Sequence, residues 1–565
     1  MTKLLSILCF IFTISMTAQS IYPQDYFRNP LDINIILSGS FGELRSNHFH
    51  SGLDIKTRGK EGLNVVSSAS GYVSRIKLAH FGYGKAIYVT HPNGYTTVYA
   101  HLQNLSPKLN AYVKKKQYEK ETYEIELFPK TTDLVLEQGE LIGLSGNTGS
   151  SGGPHLHFEI RDNAERPINP MLFGLRVKDT KKPNIKGFYA YPLNDTSYVN
   201  GFNSKQKLRV TGLKNGNFKI ENLKAYGQIG FGVETTDRHD LAGNNNGVYH
   251  IKTAINGETN FEAHFKRFSF AESKHINRYI DFEHYKKKKK RIQKLYKDSN
   301  NPLSILNNIS NDGIVTVNEN SAHIYTVNVS DFDNNSSKLK LSISGSKKRD
   351  SITTEKEHNK VNHLININEI SELSDQNVSV TIPKHTFYEN QHLNFEVKSD
   401  TVSITPKHIA LKKRMTVTFD ITHYKAKDLD GLYIAELVGW NNFPSYSRTK
   451  RIGNILYTTT KTLGTYTLAR DNEAPTITPV NFNDGKWMSN FRFLKAKIND
   501  TKTGIKSYRA TVNGKFFLME YDYKKKTLTH DFNDGIIKDT KNNLKIIVTD
   551  NVGNSTTFES TFFRK

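Results

Sequence analysis

Five side chains in the first third of this chain have the types and spacing that a hydrolytic metal site needs. They stand in three stretches: His50-Ser51-Gly52-Leu53-Asp54, Tyr99-Ala100-His101-Leu102 and His155-Leu156-His157. A glycine-rich run, Ser145-Gly146-Asn147-Thr148-Gly149-Ser150-Ser151-Gly152-Gly153-Pro154, leads into the last of them. Zinc accepts imidazole nitrogen and carboxylate oxygen, and a catalytic zinc takes three protein ligands and keeps a fourth position for water. His50, Asp54 and one histidine of the 155/157 pair fill that quota. A metal so held lowers the pKa of its water and polarises a scissile carbonyl. The other histidine of the pair, together with His101, can then shuttle protons and steady an oxyanion. No His-Glu-x-x-His occurs in the chain, which excludes the helix-borne zinc arrangement. The glycine-rich run has no following lysine, so it is not a phosphate loop.

These residues must be carried by strands. Residues 71–78 and 85–91 hold β-formers between glycines, Pro92-Asn93-Gly94 is a hairpin turn, and 95–99 leads out of it. Residues 139–143 and 155–160 complete the set. The pattern predicts a compact antiparallel β unit without a βαβ crossover. On the last strand His155 and His157 lie two apart and project from one face. Gly52 is expected to let the backbone bend between His50 and Asp54. Residues 103–137 interrupt the unit. Ser106-Pro107 starts a helix there, with serine as N-cap and proline at the first helical position. Residues 123–128 alternate like a strand. Because the insert leaves directly after His101, it is expected near the cleft, as a groove wall.

Residues 41–173 resemble the LytM/lysostaphin-type zinc metallopeptidases, the peptidoglycan DD-metallopeptidase family. The matching stretches are Phe49-His50-Ser51-Gly52-Leu53-Asp54, Gly71-Tyr72-Val73, Gly94-Tyr95-Thr96-Thr97-Val98-Tyr99-Ala100-His101-Leu102, Gly139-Glu140-Leu141-Ile142-Gly143 and Gly152-Gly153-Pro154-His155-Leu156-His157-Phe158-Glu159. The resemblance implies that His50, Asp54 and His157 bind Zn2+ and that His101 and His155 are the catalytic histidines. It implies a small antiparallel β fold with an open groove, and peptide cross-links of bacterial cell walls as substrate. The stretch between His101 and Gly139 is longer than is usual in that family, and the C-terminal two-thirds have no counterpart in its minimal domain. Two other readings go with these residues: a wall-binding scaffold or regulator with a non-catalytic site, and a peptidase acting on glycine-rich bridges or secreted proteins.

At 565 residues the chain is too long for one core. Residues 1–18 read as a secretory signal, with Lys3 before an apolar run at 4–16 and the small residues Thr17-Ala18 ahead of Gln19. Export to the periplasm, the cell surface or the medium is the expectation. The single cysteine, Cys9, lies inside that leader, so the mature chain has no disulfides to rely on. No later stretch is long and apolar enough to span a bilayer. A net charge of +23 draws a protein to anionic polymers of a cell envelope. Zinc-finger, helix-turn-helix and RNA-binding signatures are missing, so nucleic acid is not an expected partner.

Beyond the metallopeptidase-like part, 19–175, the sequence is polar and β-patterned. It divides into residues 176–346, 376–470 and 474–565, read as β-sandwiches, the last immunoglobulin-like. The first of them carries a Lys-rich, helical stretch near 284–298. The fold class is therefore mainly β: a small antiparallel metallopeptidase domain followed by several sandwiches. Asp237-Arg238-His239-Asp240-Leu241-Ala242-Gly243-Asn244, Asp331-Phe332-Asp333-Asn334-Asn335 and Thr549-Asp550-Asn551-Val552-Gly553-Asn554 recur as similar turns. Asx turns account for them without invoking calcium. Trp440 and Trp487 could touch sugars if exposed, but lone tryptophans in sandwiches are usually core.

Overall fold

A computed structural model describes residues 21–347 and 362–565 of the chain. The leader expected at 1–18 lies outside them. Strands take 45% of the residues and helices 8%, so the mainly β expectation holds. Among the described residues no helix is long and apolar enough to cross a membrane.

The N-terminal unit is a sheet in the order β1-β2-β11-β6-β5-β4-β8. Its members are β1 (Leu37–Gly39), β2 (Leu53–Lys56), β4 (Gly71–Leu78), β5 (Lys85–Thr90), β6 (Thr96–Ala100), β8 (Ile125–Leu127) and β11 (His155–Arg161). Neighbouring strands along this path are antiparallel. A second sheet, β3 (Asn64–Val66), β10 (Leu141–Leu144) and β7 (Asn104–Leu105), packs beside it. Alternation does the sorting. On β11 Leu156, Phe158 and Ile160 go into the core, and His155, His157, Glu159 and Arg161 share the opposite face. β2 and β6 flank β11, with His157 opposite Asp54 on one side and Ala100 on the other.

The insert forms α1 (Pro107–Glu119), which buries Leu109 and Val113, and then β8 and β9 (Val135–Leu136) on the outer side of β4. Ser106 holds the N-cap position, but its hydroxyl makes no capping bond; its carbonyl instead accepts from the Asn110 N–H at 2.8 Å.

The next segment is built around a long strand, Phe218–Thr236, that pairs antiparallel with Asn184–Pro192 and parallel with Ser336–Gly345. Its core is continuous with that of the N-terminal unit, a single apolar cluster running from Phe27 to Ile343. The Lys-rich run departs from the expected helix over 284–298. Its helix is Phe282–Lys288, and it stops where Lys289 turns left-handed at φ 59°. Consecutive like charges gain nothing from another helical turn. Gln293–Lys294 then pairs with the long strand instead.

Residues 362–471 form a six-stranded and a five-stranded sheet closed over one core, with Leu393, Val402 and Tyr466 facing Val380, Val417 and Phe419. The C-terminal residues build a four- and a five-stranded sheet over Leu494, Leu528, Ile546 and Val548. Both tryptophans depart from the core expectation. Trp440 sits in a turn and is 96% exposed; Trp487 is 55% exposed and stacks on Phe563 at 5.3 Å.

This last sandwich folds back onto the N-terminal unit. Lys85 pairs with Glu520 at 2.8 Å, the Tyr118 hydroxyl donates to Asp534, and Phe81 packs on Tyr523 at 4.7 Å between ring centres. The contact also reaches the glycine-rich run: Tyr523 donates to the Gly149 carbonyl at 3.1 Å, and Lys524 donates to the Asn147 carbonyl.

Candidate metal centre

His50 enters the site from the loop before β2, Asp54 from β2 itself, and His157 from the middle of β11. Candidate ligand atoms of the three lie within 4.8 Å of one another, and all three residues are buried. Asp54 Oδ1 is 3.0 Å from His50 Nε2, 2.8 Å from His157 Nδ1 and 3.3 Å from His155 Nε2. One carboxylate oxygen thus faces three imidazole nitrogens.

The far side of each ring explains its orientation. A carbonyl only accepts, so a ring nitrogen bonded to one must carry the proton. His50 Nδ1 donates to the Ser40 carbonyl at 2.7 Å, which leaves Nε2 as the lone pair turned inward. His157 is tied the opposite way: Nε2 donates to Glu159 Oε1 at 2.8 Å and Nδ1 points inward. His101 and His155 donate from Nδ1 to the Thr148 and Gly153 carbonyls, each at 2.8 Å, so the nitrogen on the other side of each ring is Nε2. The His101 and His155 rings lie 4.9 Å apart. His101 takes a left-handed backbone at φ 61°, a conformation costly for a non-glycine residue. Its N–H donates to the Tyr83 carbonyl at 2.9 Å, which ties the end of β6 to the loop between β4 and β5.

Gly52 sits in a bend just before β2, as expected, and a second demand falls on the same position. A Cβ there would come within 2.3 Å of the Phe158 carbonyl, so glycine is required for β2 to lie close to β11. His48 Nδ1 lies 2.7 Å from the Ser46 carbonyl, and the ring takes no part in the cluster.

Burial would push Asp54 upward, but His50 and the hydrogen bonds from His155 and His157 outweigh it and hold the carboxyl well below the usual range. Burial, joined by His157 and His155, lowers His101 to about 3, so it is a neutral base at neutral pH. Burial acts to lower His157 as well, yet Asp54 and Glu159 raise it to about 9. A metal must therefore compete with a proton for His157 Nδ1.

The sequence reading missed the groups behind the ligands. Glu159 is fully buried and takes bonds from His157, from Ser51 at 2.6 Å, from the Tyr83 hydroxyl and from Arg161 Nε at 2.6 Å. Arg45 spans Glu43 at 2.9 Å and Asp54 Oδ2 at 3.1 Å, fixing the outer carboxylate oxygen. The period-two run His155, His157, Glu159, Arg161 was the available signal: four polar residues on one face of an otherwise apolar strand. Arg45 and Tyr83 left no such signal, because only folding brings their loops to the site.

The Peptidase family M23 model matches residues 48–118 and 130–170, which contain all five histidine and aspartate candidates. The N-terminal region of this chain is an M23 peptidase domain. The M23 match breaks inside the insert, and residues 362–471 match a Zu5-like domain. Similar proteins include the DD-carboxypeptidase/endopeptidase Mpg of Neisseria meningitidis serogroup B, 32% identical over 26% of this chain and 28% of that protein. The peptidoglycan DD-endopeptidase ShyA of Vibrio cholerae is 31% identical over 26% of this chain and 29% of its own length. The cell division protein DipM of Caulobacter vibrioides is 30% identical over 26% and 20%. The chain thus spans under a third of the length of these relatives, and the likeness is confined to the M23 domain. Among solved structures, a zinc-containing peptidase from Vibrio cholerae is 26% identical over 26% of this chain and 38% of that one, with a TM-score of 0.18. The catalytic domain of lysostaphin from Staphylococcus simulans is 22% identical over 25% and 91%, with a TM-score of 0.19.

The donor set of the M23 domain suits zinc: two inward imidazole nitrogens, each fixed by a bond at the opposite nitrogen, and one carboxylate.

Proposed function

We propose that this chain is an exported zinc endopeptidase that hydrolyses peptide cross-links of bacterial peptidoglycan. The observation that carries the reading is the convergence of His50, Asp54 and His157 beside His155, whose Nε2 is 3.3 Å from Asp54, and His101, whose ring lies 4.9 Å from that of His155. His50 Nε2, Asp54 and His157 Nδ1 would hold Zn2+. When bound, the ion supplies an acidified water and a Lewis acid for the scissile carbonyl.

The chain's own residues supply the rest. His101, neutral through burial, offers Nε2 as a proton acceptor for the attacking water. His155, whose Nε2 turns toward Asp54, donates to the developing oxyanion when that nitrogen is protonated, and His101 passes the proton it took from the water to the leaving amine. Glu159 accepts from His157 and keeps Nδ1 available to the ion. The loops at 79–84 and 146–150, braced by the C-terminal sandwich, form the rim where a peptide would lie. Peptidoglycan as substrate is supported by the named activities of the DD-endopeptidase relatives. Excess cationic charge suits an anionic envelope.

The test is digestion of purified sacculi with and without chelator, followed by mass analysis of the muropeptides. Loss of cross-linked dimers in the untreated sample alone supports the reading. Dimers that persist in both samples refute it. A zinc-free protein that cannot take the ion up would favour a scaffold or regulator.

A further inference from the structure

Three clusters of metal-ligating side chains occur among the described residues: the centre above, Asp471/Asp500/Asp550, and Asp179/Asp237/His239. The second is engaged in turn hydrogen bonds. Asp550 Oδ1 accepts from the N–H groups of Val552, Gly553 and Asn554, and Asp500 Oδ1 from those of Lys502, Thr503 and Gly504. Asp471 accepts from Glu473 N–H and the Thr503 hydroxyl. These are the turns the sequence implies, and each of the three aspartates already accepts from its own turn.

The third cluster is different. Asp237 is 2% exposed, yet its Oδ1 meets no donor. Asp179 Oδ1 accepts from Lys181 N–H, but its Oδ2 is likewise buried and unpartnered. Unmet buried carboxylate oxygens are costly and call for a counter-charge. His239 Nε2 lies 3.5 Å from Asp237 and 3.8 Å from Asp179; the Asn246 amide nitrogen donates to Nδ1 at 3.3 Å, and the amide must turn its oxygen to Nδ1–H when Nε2 takes an ion. No lysine or arginine among the described residues forms an ion pair with either aspartate. Asp331 and Asp333 line the same cavity, which measures about 30 Å³, space for an ion or one water.

We propose that Asp179, Asp237 and His239 form a second divalent-cation site, for Zn2+ or Mn2+, where the M23 domain meets the strand segment that follows it. Imidazole with carboxylates selects a transition ion over calcium or magnesium, which prefer oxygen alone. Ser40 and Phe41 close the cavity on the M23 side. The Ser40 carbonyl fixes His50, and the Ser40 hydroxyl accepts from Gly247 N–H at 3.0 Å. An ion at this point therefore braces the loop that orients a candidate catalytic ligand, while standing apart from the catalytic cluster.

Metal content of the full chain tests this independently of activity. After dialysis against Zn2+ or Mn2+ and removal of free metal, the unaltered protein should hold about two ions, and D237N and the D179N/D237N pair about one. His157→Ala should also hold about one, and its combination with D237N none. Circular dichroism and a melting curve for each variant establish that it is folded; if His157→Ala is not, the comparison of unaltered protein with D237N still decides. Equal metal content in the unaltered protein and both aspartate variants would overturn the second site while leaving the catalytic reading intact. Uptake of Ca2+ alone, lost in D237N, would overturn the assignment of a transition ion. Failure of the catalytic reading would show instead as His157→Ala keeping the same metal content as the unaltered protein.

Discussion

His157 and Glu159 face the same way from β11, and the His157 ring donates to Glu159 Oε1 at 2.8 Å. That bond decides which imidazole nitrogen looks into the cluster. Glu159→Gln keeps the shape but removes the charge that favours a donating Nε2–H. Zinc affinity should fall ~10–100-fold, read by competition with a chromogenic chelator. Unchanged affinity would mean that Glu159 serves packing alone.

His101→Ala and His155→Ala should lower kcat on a cross-linked muropeptide by ~10²–10⁴-fold. Both variants should keep the zinc of the unaltered protein, because neither residue is needed to complete the ligand set. His50→Ala and Asp54→Ala should instead lose zinc and activity together. Metal analysis beside turnover separates the two classes, and loss of zinc in His155→Ala would move that residue into the ligand set.

Exhaustive chelation should abolish hydrolysis, and added Zn2+ should restore it. Far-UV circular dichroism should barely change on chelation, since the strands that carry the ligands are held by an apolar core that needs no ion.

Gly52→Ala should destabilise the M23 domain by about 1–3 kcal/mol or more, because the added methyl meets the Phe158 carbonyl at 2.3 Å and β2 must shift from β11. Thermal melting measures it. A neutral result would show that the strand spacing yields.

Tyr523→Ala removes the bond to the Gly149 carbonyl and the packing on Phe81. The glycine-rich run that leads to His155 should then gain freedom, seen as faster amide exchange over residues 146–153. Turnover of intact sacculi should fall more than turnover of a short soluble peptide. Equal losses on both substrates would argue against a role for the C-terminal sandwich in presenting the wall.

The chain's local patterns already carried much of this protein. Residue types and spacing picked out His50, Asp54, His101, His155 and His157, because zinc chemistry needs few donor types and a strand repeats every two residues. The same alternation marked the β units, since each strand writes its buried face into consecutive positions. Charge repetition read as helix went astray at Lys289, and the tryptophans were expected inside. Exposure is a property of the assembled sheet and not of the residue.

Folding alone decided the contacts that no local repeat announces. The return of Tyr523 and Lys524 to the 147–149 loop, the clamp of Arg45 on Asp54 and the meeting of Asp179 with Asp237 and His239 join positions whose spacing follows no local period. Which turn aspartate is satisfied by its own backbone, as Asp550 is, and which is left facing a cavity, as Asp237 is, depends on the packing around each turn. The two motifs look alike in sequence because both supply the same turn chemistry.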